Sequence, residues 1–237
     1  MKLENFITSI LGLNIYVYGL GVFLSLFICL FLFWRNIRKT AFNEEKLLDV
    51  LFLSSLTGLV IGRAAYVMLY VKKLELTILK SISLFDYPGI NEFFFWFGFF
   101  IIWFIYARRQ KISFLSLIIL LATPILIAKT LLSLFPLILL PNVTTFAIFL
   151  TYIILTGILF MIFRWLKNNI YFDKVVWFYM LLALAIPNFV VDFFKADKVY
   201  WIGQQYITRE QGLAFGVIIA GLIGLTTLLI KGRKQKK

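Results

Sequence analysis

The chain has 237 residues, of which 62% are hydrophobic and 19% aromatic, with 27 Phe and a formal net charge of +13; its mean hydropathy is +0.95. That composition lies far outside the range of soluble domains and defines an integral membrane protein. The absence of histidine excludes HExxH metalloproteases, histidine-based triads and imidazole proton shuttles. The single cysteine, Cys29, falls within the first apolar stretch and builds neither a disulfide framework nor a thiolate metal site, so no metal and no other cofactor is expected.

The opening MKLENFITSI is mixed and polar, and the apolar run after it exceeds a signal-peptide core without a small-residue cleavage site, so it reads as a retained first helix. A membrane-length window gives seven candidate helices, at about 15–33, 47–69, 93–107, 114–135, 144–164, 175–194 and 211–230, of which the third is short. Between 114 and 163 the only charged residue is Lys129. Pro136, Pro141 and Asn142 signal a turn there, so two helices joined tightly are expected, with a re-entrant hairpin as the alternative.

No stretch is polar enough for a separate soluble domain. The expected fold is an all-α integral membrane protein, a seven-transmembrane-helix bundle forming one polytopic domain over 1–237. Asn43 followed by Glu44, Glu45 and Asp49 has the form of an N-cap and acidic first turn for the second helix. Ser54, Ser55, Thr57, Gly58 and Gly62 read as residues that let helices pack closely.

Orientation follows from Lys and Arg. Arg35, Arg38, Lys39 and Lys46, then Arg108, Arg109 and Lys111, then Arg164, Lys167 and Lys174, then Lys231, Arg233, Lys234, Lys236 and Lys237 put fifteen cations on one side. The other side carries seven: Lys2, Lys72, Lys73, Lys80, Lys195, Lys198 and Arg209. The positive-inside rule places the C-terminus in the cytoplasm and the N-terminus outside a plasma or inner membrane. Topology and attraction to anionic headgroups account for the basic balance, and no nucleic-acid partner is expected.

Arg63 and Lys129 remain, each inside an apolar helix, where a charge costs several kcal/mol, roughly, unless it meets water or a partner. Both helices run outward, and each cation lies about five residues, about 8 Å, past its helix centre. Asp192 is close to the outer end of helix six, and Tyr18 and Gln211 begin helices one and seven near the same face. Should the bundle close around these five, two cations, a carboxylate, a phenol and an amide would line a cavity at phosphate depth, and a phosphate monoanion is what Arg binds best. Plainer roles stand beside this. Arg63 and Lys129 could snorkel to the interface, Asp192 pair with Lys195, Tyr18 join an aromatic belt, and Gln211 simply start a helix.

The run Tyr18-Gly19-Leu20, the apolar helix ending in Trp34-Arg35, and Gly58-Leu59-Val60-Ile61-Gly62-Arg63-Ala64-Ala65-Tyr66-Val67-Met68-Leu69-Tyr70 resemble the first two helices of prolipoprotein diacylglyceryl transferases. Phe104-Ile105-Tyr106-Ala107-Arg108-Arg109-Gln110-Lys111-Ile112-Ser113-Phe114 is similar to that family's third junction on the cytoplasmic side. Val190-Val191-Asp192-Phe193-Phe194-Lys195, with Gln205-Tyr206-Ile207-Thr208 and Gln211, is similar to its last two helices. The likeness covers most of the chain and lies in the order of these motifs.

The resemblance implies transfer of the diacylglyceryl group of phosphatidylglycerol to the thiol of a lipobox cysteine, with release of glycerol phosphate. The implied partners are a phospholipid substrate and the signal peptide of a prolipoprotein, in the membrane; oligomeric state is not implied. Arg63 and Lys129 would be phosphate ligands and Tyr18 a substrate-orienting or proton-handling group. Asp192 would be a carboxylate positioning a cation, with Gln211 and Asn188 completing the substrate contacts.

Three positions depart from the family pattern. Its His-Gly-Gly segment is replaced by Asn91-Glu92-Phe93-Phe94-Phe95. Its Gly-Arg-x-Gly-Asn-Phe signature is replaced by Ala128-Lys129-Thr130-Leu131-Leu132-Ser133, and its helix-six arginine aligns with Asn188. Two functions follow: a divergent diacylglyceryl transferase, or a homologue without catalysis that binds lipid or a membrane partner. A transporter lacks support from any inverted repeat, and a retinal pigment is excluded because 211–230 contains no lysine.

Overall fold

The computed structural model describes residues 6–10, 13–74, 90–139, 141–166, 171–194 and 209–234. It begins with two antiparallel strands, β1 (Phe6–Ile10) and β2 (Leu13–Tyr16), in which Ile10 pairs with Leu13, Ser9 with Asn14 and Phe6 with Tyr16, the register slipping between Phe6 and Thr8. Seven helices follow among the described residues: α1 (Val17–Ile37), α2 (Glu44–Leu74), α3 (Glu92–Gln110), α4 (Phe114–Leu139), α5 (Val143–Leu166), α6 (Phe172–Phe194) and α7 (Arg209–Lys234).

Among the described residues the helical expectation holds for the seven helices from Val17 to Lys234, and the hairpin departs from it. Residues 6–16 alternate polar and apolar side chains at period two over part of their length, a pattern that suits a short ribbon better than a helix. The expectation that Pro136 breaks the chain is corrected: α4 runs through both Pro124 and Pro136 to Leu139. A proline is tolerated inside a membrane helix when neighbouring groups re-satisfy the backbone it frees. The break falls at Pro141-Asn142. There Thr145 N–H donates to Asn142 Oδ1 at 2.9 Å and Asn142 N–H donates back to Thr145 Oγ1 at 3.1 Å, a reciprocal cap that starts α5.

Among the described residues, six helices are long and apolar enough to cross a membrane: α1, α2, α4, α5, α6 and α7. The α4 and α5 spans have 26 and 24 residues, about 39 and 36 Å at 1.5 Å per residue, so each is long enough for a full crossing. The remaining helix, α3, carries Glu92 at its start and Arg108 and Arg109 at its end. Its apolar run, 93–107, measures only about 22 Å.

The chain packs as two compact units, one of residues 40–117 and the other of residues 1–39 and 118–237. In the first, α2 and α3 run antiparallel and very close. A methyl added at Gly58 would come within 2.8 Å of the Phe95 carbonyl oxygen, and one at Gly98 within 3.2 Å of Gly58 Cα. Toward the other end of this seam Trp103 Nε1–H donates to Ser54 Oγ at 3.0 Å, both side chains fully buried. Ser55 and Thr57 donate to the carbonyls of Leu51 and Leu53 in their own helix at 2.8 and 2.9 Å. The expected packing role therefore holds for Ser54, Gly58 and Gly62, and close approach through small residues is what membrane helices use where no hydrophobic force acts between them.

In the second unit each neighbouring pair is antiparallel, and the contacts set the register. Gly21 of α1 lies against the Phe135 ring of α4, and fifteen residues on Asn36 Nδ2 donates to the Leu120 carbonyl at 3.1 Å. Thr130 and Thr156 share a 2.9 Å hydroxyl hydrogen bond between α4 and α5. The Tyr179 hydroxyl donates to the Leu155 carbonyl, and Phe163 meets Phe172 edge-on at 5.1 Å, joining α5 to α6. Gly221 packs against Leu182 and Gly224 against the Phe178 ring, joining α6 to α7.

Candidate functional site

Arg63 lies in α2, in the unit of residues 40–117, with only 9% of its surface exposed. Its guanidinium carbon is 5.6 Å from the centroid of the Tyr66 ring, one turn along the same helix, within cation–π range. The preceding residue, Gly62, faces the start of α3, where a methyl would come within 2.7 Å of Ile90 Cγ2 and 3.0 Å of the Asn91 carbonyl oxygen. Asn91 is the N-cap of α3: its Oδ1 accepts from Phe94 N–H at 3.2 Å, and its own N–H donates to the Gly62 carbonyl at 3.0 Å. Glu92, next along, accepts from Trp96 Nε1–H at 3.1 Å.

Lys129, Asn188 and Gln211 belong to the other unit, on α4, α6 and α7. Lys129 is half-buried, and its neighbour Thr130 is occupied with the Leu126 carbonyl and Thr156. Asn188 Nδ2 donates to the Leu184 carbonyl of its own helix at 2.9 Å, so part of its amide serves the α6 backbone. Gln211 is buried, 5% exposed, in the first turn of α7. The backbones of Tyr18 and Asp192 lie in α1 and α6, whereas their side chains, together with Lys195, Lys198 and Gln205-Tyr206-Ile207-Thr208, fall outside the described residues.

Register decides depth within this unit. Stepping ten residues from the Leu182–Gly221 contact along each helix sets Asp192 level with Gln211, at one end of the α6–α7 pair. Stepping three residues from Gly21 sets Tyr18 level with residue 138 of α4, and the α5 and α6 contacts carry that level to the neighbourhood of Asn188. Lys129 is nine residues away from that level on α4, about 14 Å at 1.5 Å per residue, and lies opposite the middle of α1. Four of the sequence-derived positions thus lie toward the same end of their helices, Tyr18 on α1, Asn188 and Asp192 on α6 and Gln211 on α7, while Lys129 lies deeper. A sequence window measures depth only within its own helix, and the offset becomes legible once helices are paired.

Asn91 was not singled out as a functional residue by sequence reasoning. An Asn immediately before Glu92 and an apolar run has the form of a helix start, and that local signal was available; what it could not reveal is the carbonyl that Asn91 grips.

These features describe a multi-pass helical membrane protein that buries a guanidinium in an apolar helix tightened by glycines. The family model for prolipoprotein diacylglyceryl transferase matches residues 5–132, just over half of the chain. The protein belongs to that family, a transferase family of lipoprotein biosynthesis. Comparison with the curated proteins finds no match. Tyr18, Arg63 and Lys129 fall inside the matched segment, and Asn188, Asp192 and Gln211 beyond it.

Proposed function

We propose that this protein transfers the diacylglyceryl group of phosphatidylglycerol to the lipobox cysteine thiol of a prolipoprotein. The observation that carries the reading is Arg63, buried in the family-matched α2 and held over Tyr66. A guanidinium presents a planar fork of donors matched to phosphate oxygens. In the reaction the cysteine sulfur forms a bond to the diacylglyceryl carbon, the bond from that carbon to the phosphate oxygen breaks, and glycerol phosphate leaves with the electron pair. Charge grows on the departing phosphate, where a fixed cation in a water-poor site is most effective. Lys129 is a second phosphate ligand, and Tyr18 orients substrate or handles the thiol proton. Asp192 positions a cation, and Gln211 and Asn188 contact substrate.

In this reading the chain crosses the cell membrane seven times, with its N-terminus outside and its C-terminus in the cytoplasm. Helix parity supports the count. Because α1 and α4 are antiparallel, with Asn36 level with Leu120, an even number of crossings separates them. If α2 crosses, α3 must return. Phenylalanine and tryptophan fill the shorter α3, whose rings run in contact from Phe95 to Trp103.

A second reading, a lipid-binding homologue without transferase activity, is favoured by Asn188, which offers no charge and commits an amide hydrogen to Leu184. Purified protein incubated with labelled phosphatidylglycerol and a lipobox peptide separates the two. Thioether product from the wild type and none from Arg63→Ala is the expected result. Lipid binding without product in any lipid mixture would leave the second reading standing and remove the first.

A further inference from the structure

We propose that Asn91 is a positioning residue for Arg63: by capping α3 and gripping the Gly62 carbonyl, it fixes the stretch of α2 that presents the guanidinium to an anionic lipid headgroup. This rests on the function proposed above and deepens it.

Asn91 is 3% exposed, and three of its polar groups are committed. Its side-chain oxygen accepts from Phe94 N–H, its carbonyl accepts from Phe95 N–H at 3.0 Å, and its N–H donates to Gly62. A carbonyl in the body of a helix already serves the amide four residues on, so the Asn91 bond to Gly62 is an additional tie between two helices. It falls on the peptide unit that leads directly into Arg63. Gly62 has the one side chain that admits this approach, since a methyl there would press on Ile90 and on the Asn91 carbonyl.

Tyr66 restrains the far end of the same arginine. Arg63 is therefore held at its guanidinium by the Tyr66 ring of α2 and at its backbone by the α3 cap. An Asn side chain takes up no proton at physiological pH, so what this position supplies is geometry and not acid–base chemistry.

The side chain matters because it holds the cap. Asn91→Ala removes the acceptor for Phe94 N–H and frees the first turn of α3, whereas Asn91→Ser retains an acceptor of the same kind. Asn91→Gly removes the acceptor more gently and provides the measurement if the alanine variant does not fold. Ser54→Ala is the control for stability alone, because it weakens the α2–α3 seam at the Trp103 bond, nine residues from Arg63.

Melting temperature and Kd for phosphatidylglycerol in detergent micelles are measured for wild type, these variants and Arg63→Ala. The expected result is a Kd raised about tenfold by Asn91→Ala or Asn91→Gly, restored to within about twofold by Asn91→Ser, and unchanged by Ser54→Ala despite a lower melting temperature. If Arg63→Ala weakens binding and neither Asn91→Ala nor Asn91→Gly does, the positioning role is overturned and the proposed function stands. An equal rise in Kd from Ser54→Ala would overturn it too, as an effect of stability. If Arg63→Ala leaves binding unchanged, the proposed function fails and the positioning role falls with it.

Discussion

Asn36 Nδ2 donates to the Leu120 carbonyl oxygen at 3.1 Å, which sets the last turn of α1 level with the first turns of α4. The chain therefore leaves α1 and enters α4 at the same end of that helix pair. In a Cys29→Ser background, single cysteines at Ile90 and Lys111 should be labelled from opposite sides of the membrane by an impermeant maleimide, Lys111→Cys from the cytoplasm. Labelling of both from one side would mean that α3 does not cross.

The Ser54–Trp103 hydrogen bond is buried on both partners, so replacing Ser54 removes a buried hydrogen bond to the indole N–H. Ser54→Ala should lower stability by about 1–3 kcal/mol. Trp103→Phe removes the donor as well but also shrinks a fully buried side chain, so the double variant should lose clearly less than the sum of the two single losses. Thermal melts of the two single variants and the double variant test this; additive losses would show that the pair does not interact.

Glycines on α7 should divide sharply by position. A side chain at Gly224 would overlap the Phe178 ring, whereas one at Gly216 meets nothing within 4 Å. Gly224→Ala should destabilise by about 1–3 kcal/mol through overpacking, and Gly216→Ala should be neutral or slightly stabilising, since alanine is the better helix former. Equal melting temperatures for the two variants would contradict the α6–α7 register.

Arg63→Lys keeps the charge and loses the planar fork. Transfer by Arg63→Ala should fall at least about a hundredfold, as when one charge-stabilising donor is removed from other active sites. Arg63→Lys should lie between that and wild type, because a point charge cannot make the paired contacts of a guanidinium. The readout is the rate of thioether formation at saturating lipid, and a lysine variant equal to wild type would show that only charge is needed.

Lys129 offers a separate test, because it lies about 14 Å deeper along the helices than the level shared by Tyr18 and Asn188. Lys129→Arg should keep activity and Lys129→Met should lose it if the cation grips phosphate. A fully active Lys129→Met would remove it from the substrate contacts.

Most of the helices could be placed from residues alone because crossing a bilayer demands long apolar runs, and those runs are visible without knowing their neighbours. Asn43 is an example of a local signal that held: its Oδ1 accepts from Lys46 N–H at 3.0 Å at the start of α2. Pro136 is one that did not, because a proline marks a break only where no neighbour compensates the lost hydrogen bond. The strands β1 and β2 were missed because a composition window tuned to membrane helices averages over so short a ribbon.

Composition and the placement of cations determined by themselves that this is a multi-pass membrane protein, and Arg63 announced itself because charge in hydrocarbon needs compensation. Tertiary structure alone decided that Gly62 is where α3 comes to rest, that Asn91 ties the two helices together, and that Lys129 lies deeper than Tyr18 and Asn188 within its own unit. The reason is physical. The cost of burying a charge is a property of one residue in its solvent, whereas register and close approach belong to pairs of helices, and pairing is not written in either helix taken singly.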